Sequence, residues 1–295
     1  MSQQELADAM GYKTRSTIAK IESGENDVSQ SKLRKFAAAL KTTVEGLIAE
    51  NGSFSDDASA MPEFSDRRQR NIAVILAGGE AGNNHQNIPT QFLNVHSKPI
   101  LVYCMEAYQA HPALDAIYVV CLAGWESIVT AYARQYGITK LKGILPGGNS
   151  GMESLKNAVD AVRDQYSGED VLIIQEATRP LISVETVSKL LLAAMQKGSA
   201  TICHSMEEYV QFRVTQGRAE YVDRNAMIAL QSPEAHRLSL ITEVFEKAGA
   251  QPIRESCFTM LLHNLGYAIN FVEGSVNNIK IAGEEDIATF AALVK

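Results

Sequence analysis

The stretch IAVILAGGEAGNNHQNIPTQF, residues 72–92, decides the fold. Five apolar residues, 72–76, run into Ala77, Gly78 and Gly79. Such a run reads as a strand buried on both faces, entering a loop whose bare backbone amides can approach phosphate oxygens. A loop built for a triphosphate normally carries Lys or Arg as well, because phosphoryl-type transfer is mostly positioning plus neutralisation of developing charge. Between Gly79 and Phe92 there is neither. Taken alone, the glycine pair also fits a plain strand-to-helix turn.

Downstream of this stretch, apolar strands alternate with helical patterns. Helices are expected at about 100–110, 126–136 and 152–164, and strands at 116–121, 143–145 and 171–175. That alternation predicts an α/β domain with a mainly parallel sheet covered on both faces. Ligands in such sheets collect beyond the carboxyl ends of the strands, so the loops at 78–91, 147–154 and 176–180 are the ones to inspect. Residues 208–224 alternate around Gln216 and Gly217, which predicts a hairpin within about 205–224. Upstream, residues 51–70 are polar and broken by Gly and Pro, the composition of a linker.

The chain has 295 residues, a prior of about two domains. Its 46% apolar and 21% charged content is that of an ordinary globular protein. No apolar stretch approaches the roughly 20 residues needed to cross a bilayer, and no basic-then-apolar signal opens the chain. The expectation is a cytoplasmic protein with no membrane partner. Cys104, Cys121, Cys203 and Cys257 are far apart and lack metal-site spacing, so they are expected as reduced thiols. The six histidines form no close pair, His85 is expected as polar loop filler, and Trp125 as a packed side chain. A net charge of −7 argues against coating nucleic acid with the whole surface but allows one local DNA-reading element.

Residues 1–50 are helical by pattern. Leu6, Ala7 and Met10 share a face that stops at Gly11; a second helix runs from about Thr14 or Ser16 to Glu22; a third spans 29–40; and Thr43 opens a fourth with Val44, Leu47 and Ile48. Two short helices joined by a tight glycine turn suit a helix-turn-helix reader. The segments SQQELA (2–7), STIAKIESG (16–24) and LRKFAAAL (33–40) resemble the phage-repressor-like, Xre-type family. That resemblance implies that the second helix enters the major groove of double-stranded DNA, with Gln4, Arg15, Ser16, Thr17 and Lys20 as contacts to bases or phosphates. Family members usually carry a further helix before SQQELA, so a native start some 15 to 25 residues upstream, or a truncated domain, is expected.

The large domain resembles the alditol-phosphate cytidylyltransferases, typified by the methylerythritol phosphate and ribitol phosphate enzymes. The resemblance rests on Leu76 to Gly79, on Pro89, Gln91, Phe92 and Leu93, and on Lys98 to Ile100. It continues through Gly147 and Gly148 with Ser154 and Asn157, then Ala177, Arg179 and Pro180, and Val222 to Arg224. Gln231, Pro233 and the run VEGSVNNIKI (272–281) complete it. It implies a Rossmann-like, glycosyltransferase-A-like nucleotidyltransferase fold over 71–295, a homodimer formed through the hairpin, and magnesium-assisted attack of an alditol phosphate on CTP. Position by position, Arg179, Arg224, Lys280 and Glu176 are the implied catalytic residues. Glu176 is also the candidate magnesium ligand, and Ala77, Gly78, Gly79, Gly148 and Ser154 surround the nucleotide.

Several expected charges are missing. The loop's second glycine is Ala81, its arginine falls near Asn83, and the lysine of its Pro-Lys-Gln triplet is Thr90. The arginine of the second glycine loop is Gly151, an aspartate is Glu176, and a Thr-Asp pair is Ser256-Cys257. Losing one preorganised charge partner commonly costs on the order of 10² to 10³ in rate. The leading expectation is therefore a DNA-binding regulator whose degenerate cytidylyltransferase-like domain senses a nucleotide or sugar-phosphate, such as CTP or a CDP-alditol. An active nucleotidyltransferase using magnesium, with an appended helix-turn-helix, is the first alternative, and a purely structural dimerisation module the second.

Overall fold

The computed structural model describes residues 3–12, 14–22, 30–40, 68–79, 88–206, 210–249 and 253–294. The expected fourth helix at Thr43, the linker up to residue 67, and Ala81, Asn83 and His85 lie outside the described residues. The chain divides into two compact units, Met1–Asp66 and Arg67–Lys295.

In the first unit, α1 (Gln3–Ala9), α2 (Arg15–Glu22) and α3 (Gln30–Leu40) form the helices. Gly11 follows α1 at φ +74°, a left-handed position that glycine occupies without a side-chain penalty. The Tyr12 N–H then donates to the Ala7 carbonyl at 2.8 Å, closing the turn. Leu6, Ala7, Ile18 and Phe36 are buried together, so one face of each helix is committed to this small core.

The second unit is built on a seven-stranded sheet of order β11-β7-β10-β6-β1-β4-β5. Its strands are β1 (Asn71–Ala77), β4 (Ala116–Cys121), β5 (Leu141–Pro146), β6 (Val171–Glu176), β7 (Ser199–Ser205), β10 (Ile228–Arg237) and β11 (Phe271–Glu273). β1 pairs in parallel with β4 and β6, β5 with β4, and β11 with β7; only β10 runs antiparallel, against both β6 and β7. The sheet is mainly parallel, as expected, and buried on two faces.

Period-two alternation along β1 explains those faces. Ala73, Ile75 and Ala77 pack in one core with α4 (Ile100–Ala110), α5 (Glu126–Gln135) and α7 (Val184–Lys197). Ile72 and Val74 pack in the other with α6 (Gly151–Val162), α8 (Leu238–Ala248) and α9 (Phe258–Asn264). A third, smaller core joins Leu93, Val95 and Ile100 to Ile281 and to Phe290 on α10 (Glu284–Leu293). Between the short 3₁₀ turn Thr90–Phe92 and α4, the two-residue strands β2 (Asn94–Val95) and β3 (Lys98–Pro99) form a short antiparallel pair.

Arg68 and Arg70, assigned to the linker by composition, are anchored to the domain. Arg68 pairs with Asp115 at 3.1 Å, and Arg70 donates its backbone N–H at 2.8 Å and its Nε at 3.2 Å to the buried Asp170. The hairpin is present as β8 (Gln211–Thr215) and β9 (Arg218–Val222). Gln216 and Gly217 both have positive φ, +49° and +77°, the conformation of a two-residue turn that follows the right-handed twist of paired strands. Among the described residues no helix is long and apolar enough to cross a membrane.

Candidate functional site

The strand order reverses at β1, with β4 and β5 to one side and β6 to the other, so the carboxyl end of β1 is the switch point of the sheet. A cavity of about 880 Å³ opens there. Its walls include Gly78, Gly79, Gly148, Ser154, Glu176, Arg179 and Lys280, which lie in four separate stretches of the sequence.

The glycine loops are held mainly by neutral hydrogen bonds. The Gln91 side-chain amide donates to the carbonyls of Ala77 at 2.9 Å and Gly79 at 2.8 Å, pinning the loop after β1. The Gly148 N–H donates to the Ser154 hydroxyl at 2.9 Å, tying the loop after β5 to the first turns of α6. Ser150 caps α6 by accepting the Glu153 N–H, and the Glu153 carboxylate accepts the Asn149 N–H at 2.8 Å. Gly78 and Gly147 approach closely: a Cβ on Gly147 would lie 3.2 Å from the Cys121 carbonyl oxygen, with little room to move. A Cβ on Gly151 would meet nothing within 4 Å, so the backbone does not require glycine at that position.

A different arrangement holds the charged residues. Glu176, the last residue of β6, accepts from Lys280 Nζ at 2.7 Å through Oε1 and from Arg179 Nε at 2.9 Å through Oε2. Arg179 also donates from Nη1 to the Asn278 carbonyl at 2.8 Å, and Asn278 donates its side-chain amide to the Ser232 carbonyl at 2.7 Å. The Glu176 backbone N–H donates to the Ser232 hydroxyl at 2.7 Å, where the β10 ladder shifts register. Burial pushes the Glu176 carboxyl up, but the hydrogen bonds and charges of Lys280 and Arg179 outweigh it and hold the group below the usual carboxylate range.

Glu234, buried on β10, also faces the cavity. Its carboxylate accepts the backbone N–H groups of Phe258 at 3.1 Å and Thr259 at 2.8 Å, together with the Thr259 hydroxyl. Burial raises this carboxyl, yet His236 beside it and the Thr259 donors hold it low overall. Cys257, where the resemblance expected an aspartate, has its thiol pushed up by burial and by the Glu234 and Glu176 charges, so it stays protonated.

The structure thus brings together Gly78, Gly79, Gly148, Ser154, Glu176, Arg179 and Lys280, while Ala77 is buried in the core at the end of β1 and Arg224 stands apart. Arg224 is exposed in a short turn, Arg224–Ala226, after the hairpin, and does not line this cavity. Glu176 is placed as an ion-pair partner rather than an open metal ligand. Magnesium asks for a near-octahedral oxygen set, and the described residues contain no group of three His, Cys, Asp or Glu that could hold a metal. Both Glu176 oxygens accept from cations, and magnesium at such a site would be held by this one carboxylate together with substrate phosphates and water. Gln91, Ser232, Asn278 and Glu234 were not singled out as site residues. Each is a polar residue whose partners are far away in sequence, a signal that periodicity does not carry. Trp125 stacks on Phe92, with ring centroids 4.2 Å apart.

In the N-terminal unit Gln4, Arg15, Ser16 and Lys20 are exposed and Thr17 is half-exposed, while Ile18 turns into the core. Gln4 donates to Asp8 at 2.9 Å, and the hydroxyls of Thr14 and Ser16 share a hydrogen bond at 2.8 Å.

Residues 71–295 match the family model of 2-C-methyl-D-erythritol 4-phosphate cytidylyltransferase, and residues 1–47 match a helix-turn-helix model. The chain belongs to the 2-C-methyl-D-erythritol 4-phosphate cytidylyltransferase family. Within that family the chain is 30% identical over 227 residues to the ribitol-5-phosphate cytidylyltransferase of Lacticaseibacillus paracasei, covering 76% of this chain and 97% of that enzyme. The ribitol-5-phosphate cytidylyltransferase of Vibrio parahaemolyticus is 31% identical over 233 residues, covering 76% and 95%. Among solved structures, the 4-diphosphocytidyl-2C-methyl-D-erythritol synthase of Anaerococcus prevotii superposes with a TM-score of 0.68 at 18% identity, covering 77% of this chain and 96% of that one. The Thermus thermophilus cytidylyltransferase gives 0.61 at 22% identity, covering 77% and 98%. These structures support the Rossmann-like nucleotidyltransferase fold.

Proposed function

We propose that the chain is a DNA-binding transcriptional regulator whose cytidylyltransferase-family domain binds a nucleotide or sugar-phosphate without turning it over. The observation that carries this reading is electrostatic. Among the described residues lining the cavity the cations are Arg179 and Lys280, and both are bonded to Glu176. The segment 80–87 adds Glu80 and no Lys or Arg. Neutralisation of a transferring phosphoryl group needs free, preorganised cations, so the chemistry has lost its main stabilising element.

Residues of α2 and Gln4 on α1 would supply the contacts to double-stranded DNA, with Arg15 and Lys20 toward phosphates and Gln4, Ser16 and Thr17 toward base edges or backbone. The hairpin exposes Val210, Phe212, Val214 and Tyr221, with Phe212 and Tyr221 meeting edge-on across the strands. An apolar ribbon of this kind suits a homodimer, which would present two helix-turn-helix units to a two-fold operator.

The second reading, an active enzyme making CDP-ribitol from CTP and ribitol 5-phosphate with magnesium, is favoured by the near-complete coverage of ribitol-5-phosphate cytidylyltransferases. Pyrophosphate release from CTP, magnesium and ribitol 5-phosphate separates the two. The regulator predicts no release above the blank beside an active family enzyme, together with DNA affinity that shifts when ligand is added. Turnover abolished by Lys280→Ala would instead establish the enzyme.

A further inference from the structure

We propose that the cavity wall at the start of α9 selects the body of the ligand: it takes a phosphate monoester whose carbon chain bears few hydroxyls, in preference to a polyol phosphate. This rests on the ligand-binding reading above and narrows it. The wall is made by Leu230, Cys257, Phe258 and Met260. Leu230 and Met260 are large apolar side chains left 37% and 43% exposed, so a ligand surface that covers them gains by taking apolar area out of water. The Cys257 thiol, kept protonated by burial and by the Glu234 and Glu176 charges, acts beside them as a small apolar group.

The polar groups on this side of the cavity are engaged with one another. Glu234 accepts the Phe258 and Thr259 N–H groups and the Thr259 hydroxyl. Because Thr259 gives its proton to Glu234, Thr201 is the donor in the hydrogen bond between the two threonine hydroxyls. Ser256 donates to the Met260 sulfur at 3.2 Å, and the Ser232 hydroxyl accepts the Glu176 N–H at 2.7 Å. A polyol brought here gives up hydrogen bonds to water and meets donors and acceptors already in use, and each unmatched hydroxyl lowers affinity. The phosphate has a place nearby. Lys280 spends one of its three ammonium N–H groups on Glu176, and its side chain is half exposed, so it can face a phosphate as well. Cys257 is close enough to Glu176 for that charge to act on its thiol, which puts the apolar wall within reach of a short chain whose phosphate sits on Lys280. Holding one monoester asks less of the site than stabilising a transferring phosphoryl group.

The test is calorimetric titration of the full chain with CMP, and then with two esters of equal carbon number and charge, pentyl phosphate and ribitol 5-phosphate, each without and with saturating CMP. Wild type is expected to bind pentyl phosphate at least about tenfold more tightly than ribitol 5-phosphate. Cys257→Asn, which puts an amide donor and acceptor on the wall, is expected to move that ratio toward ribitol 5-phosphate by about fivefold, the worth of one hydrogen bond. Met260→Gln, at an exposed position that tolerates a polar side chain, is expected to move it the same way and stands in should Cys257→Asn not fold. A smaller wild-type preference, or a ratio that neither variant moves, overturns the proposal, while binding of CMP or of either ester leaves the ligand-binding reading standing. Absence of binding by CMP and by both esters in every chain removes that reading and the proposal together.

Discussion

The glycine loops and the ion-paired trio line the same cavity, yet they are held by different physics. Around Gly78, Gly147 and Gly148 the shape comes from close backbone approach and neutral hydrogen bonds from Gln91 and to Ser154. Around Glu176 it comes from charge, with one carboxylate bridging Arg179 and Lys280. A backbone cradle is required by the fold itself, because it also terminates strands and starts a helix. A charged constellation depends instead on which side chains the fold brings within bonding distance. The difference teaches that fold similarity and catalytic competence rest on separable sets of residues within one site.

The comparison is most strongly broken on the charged side, behind the trio. Glu234→Ala leaves the Phe258 and Thr259 donors and His236 buried without their carboxylate, and is expected to cost about 3 kcal/mol in urea unfolding. Ser154→Ala, which removes a single neutral acceptor from the Gly148 N–H, is expected to cost about 1 kcal/mol. An equal or larger loss for Ser154→Ala would reverse the ranking.

Acid sharpens the same contrast. The folded Glu234 carboxyl is held below its usual range. Its contribution to stability is thus present above the unfolded value of about 4.3 and is lost as pH falls through the lower folded value. Urea midpoints should drop from pH 6 to pH 3 in wild type and drop less in Glu234→Gln, whereas Ser154→Ala should follow the wild-type profile.

Next comes a gain rather than a loss. Open space surrounds Gly151, so Gly151→Arg is expected to fold with a stability change within about 0.5 kcal/mol and to tighten CTP several-fold, read by calorimetry. A destabilisation of several kcal/mol would mean that the α6 start does require glycine. The smallest effect belongs to the exposed Lys156–Asp160 pair on α6, whose double replacement by Ala should change stability by less than about 0.5 kcal/mol.

Much of this molecule was legible in the chain. The β1 run, the Ile100–Ala110 and Ala116–Cys121 elements and the Gln216-Gly217 turn are local patterns, set by side-chain periodicity and by the residues that tolerate positive φ. The glycine loops were legible for the same reason, since Gly78, Gly79 and Gly148 follow strands whose burial is written in their composition. Arg179, Lys280 and Glu176 could be named one at a time from the resemblance. Their mutual bonding could not, because Glu176 and Lys280 meet across 104 residues and a carboxylate's partner is chosen by the fold. Arg68 and Arg70 make the same point: polar composition read as linker, but the acceptors Asp115 and Asp170 were supplied from elsewhere in the chain.

By itself, the sequence determined the elements, the two-unit composition and the absence of cations between Gly79 and Phe92, because each of these is a property of neighbours along the chain. Only the tertiary structure decided that the surviving cations are already paired, that Arg224 stands outside the cavity and that Glu234 is satisfied by the start of α9. Those are facts of distance between remote residues, and in a partly buried site distance and solvent screening set what a charge can do.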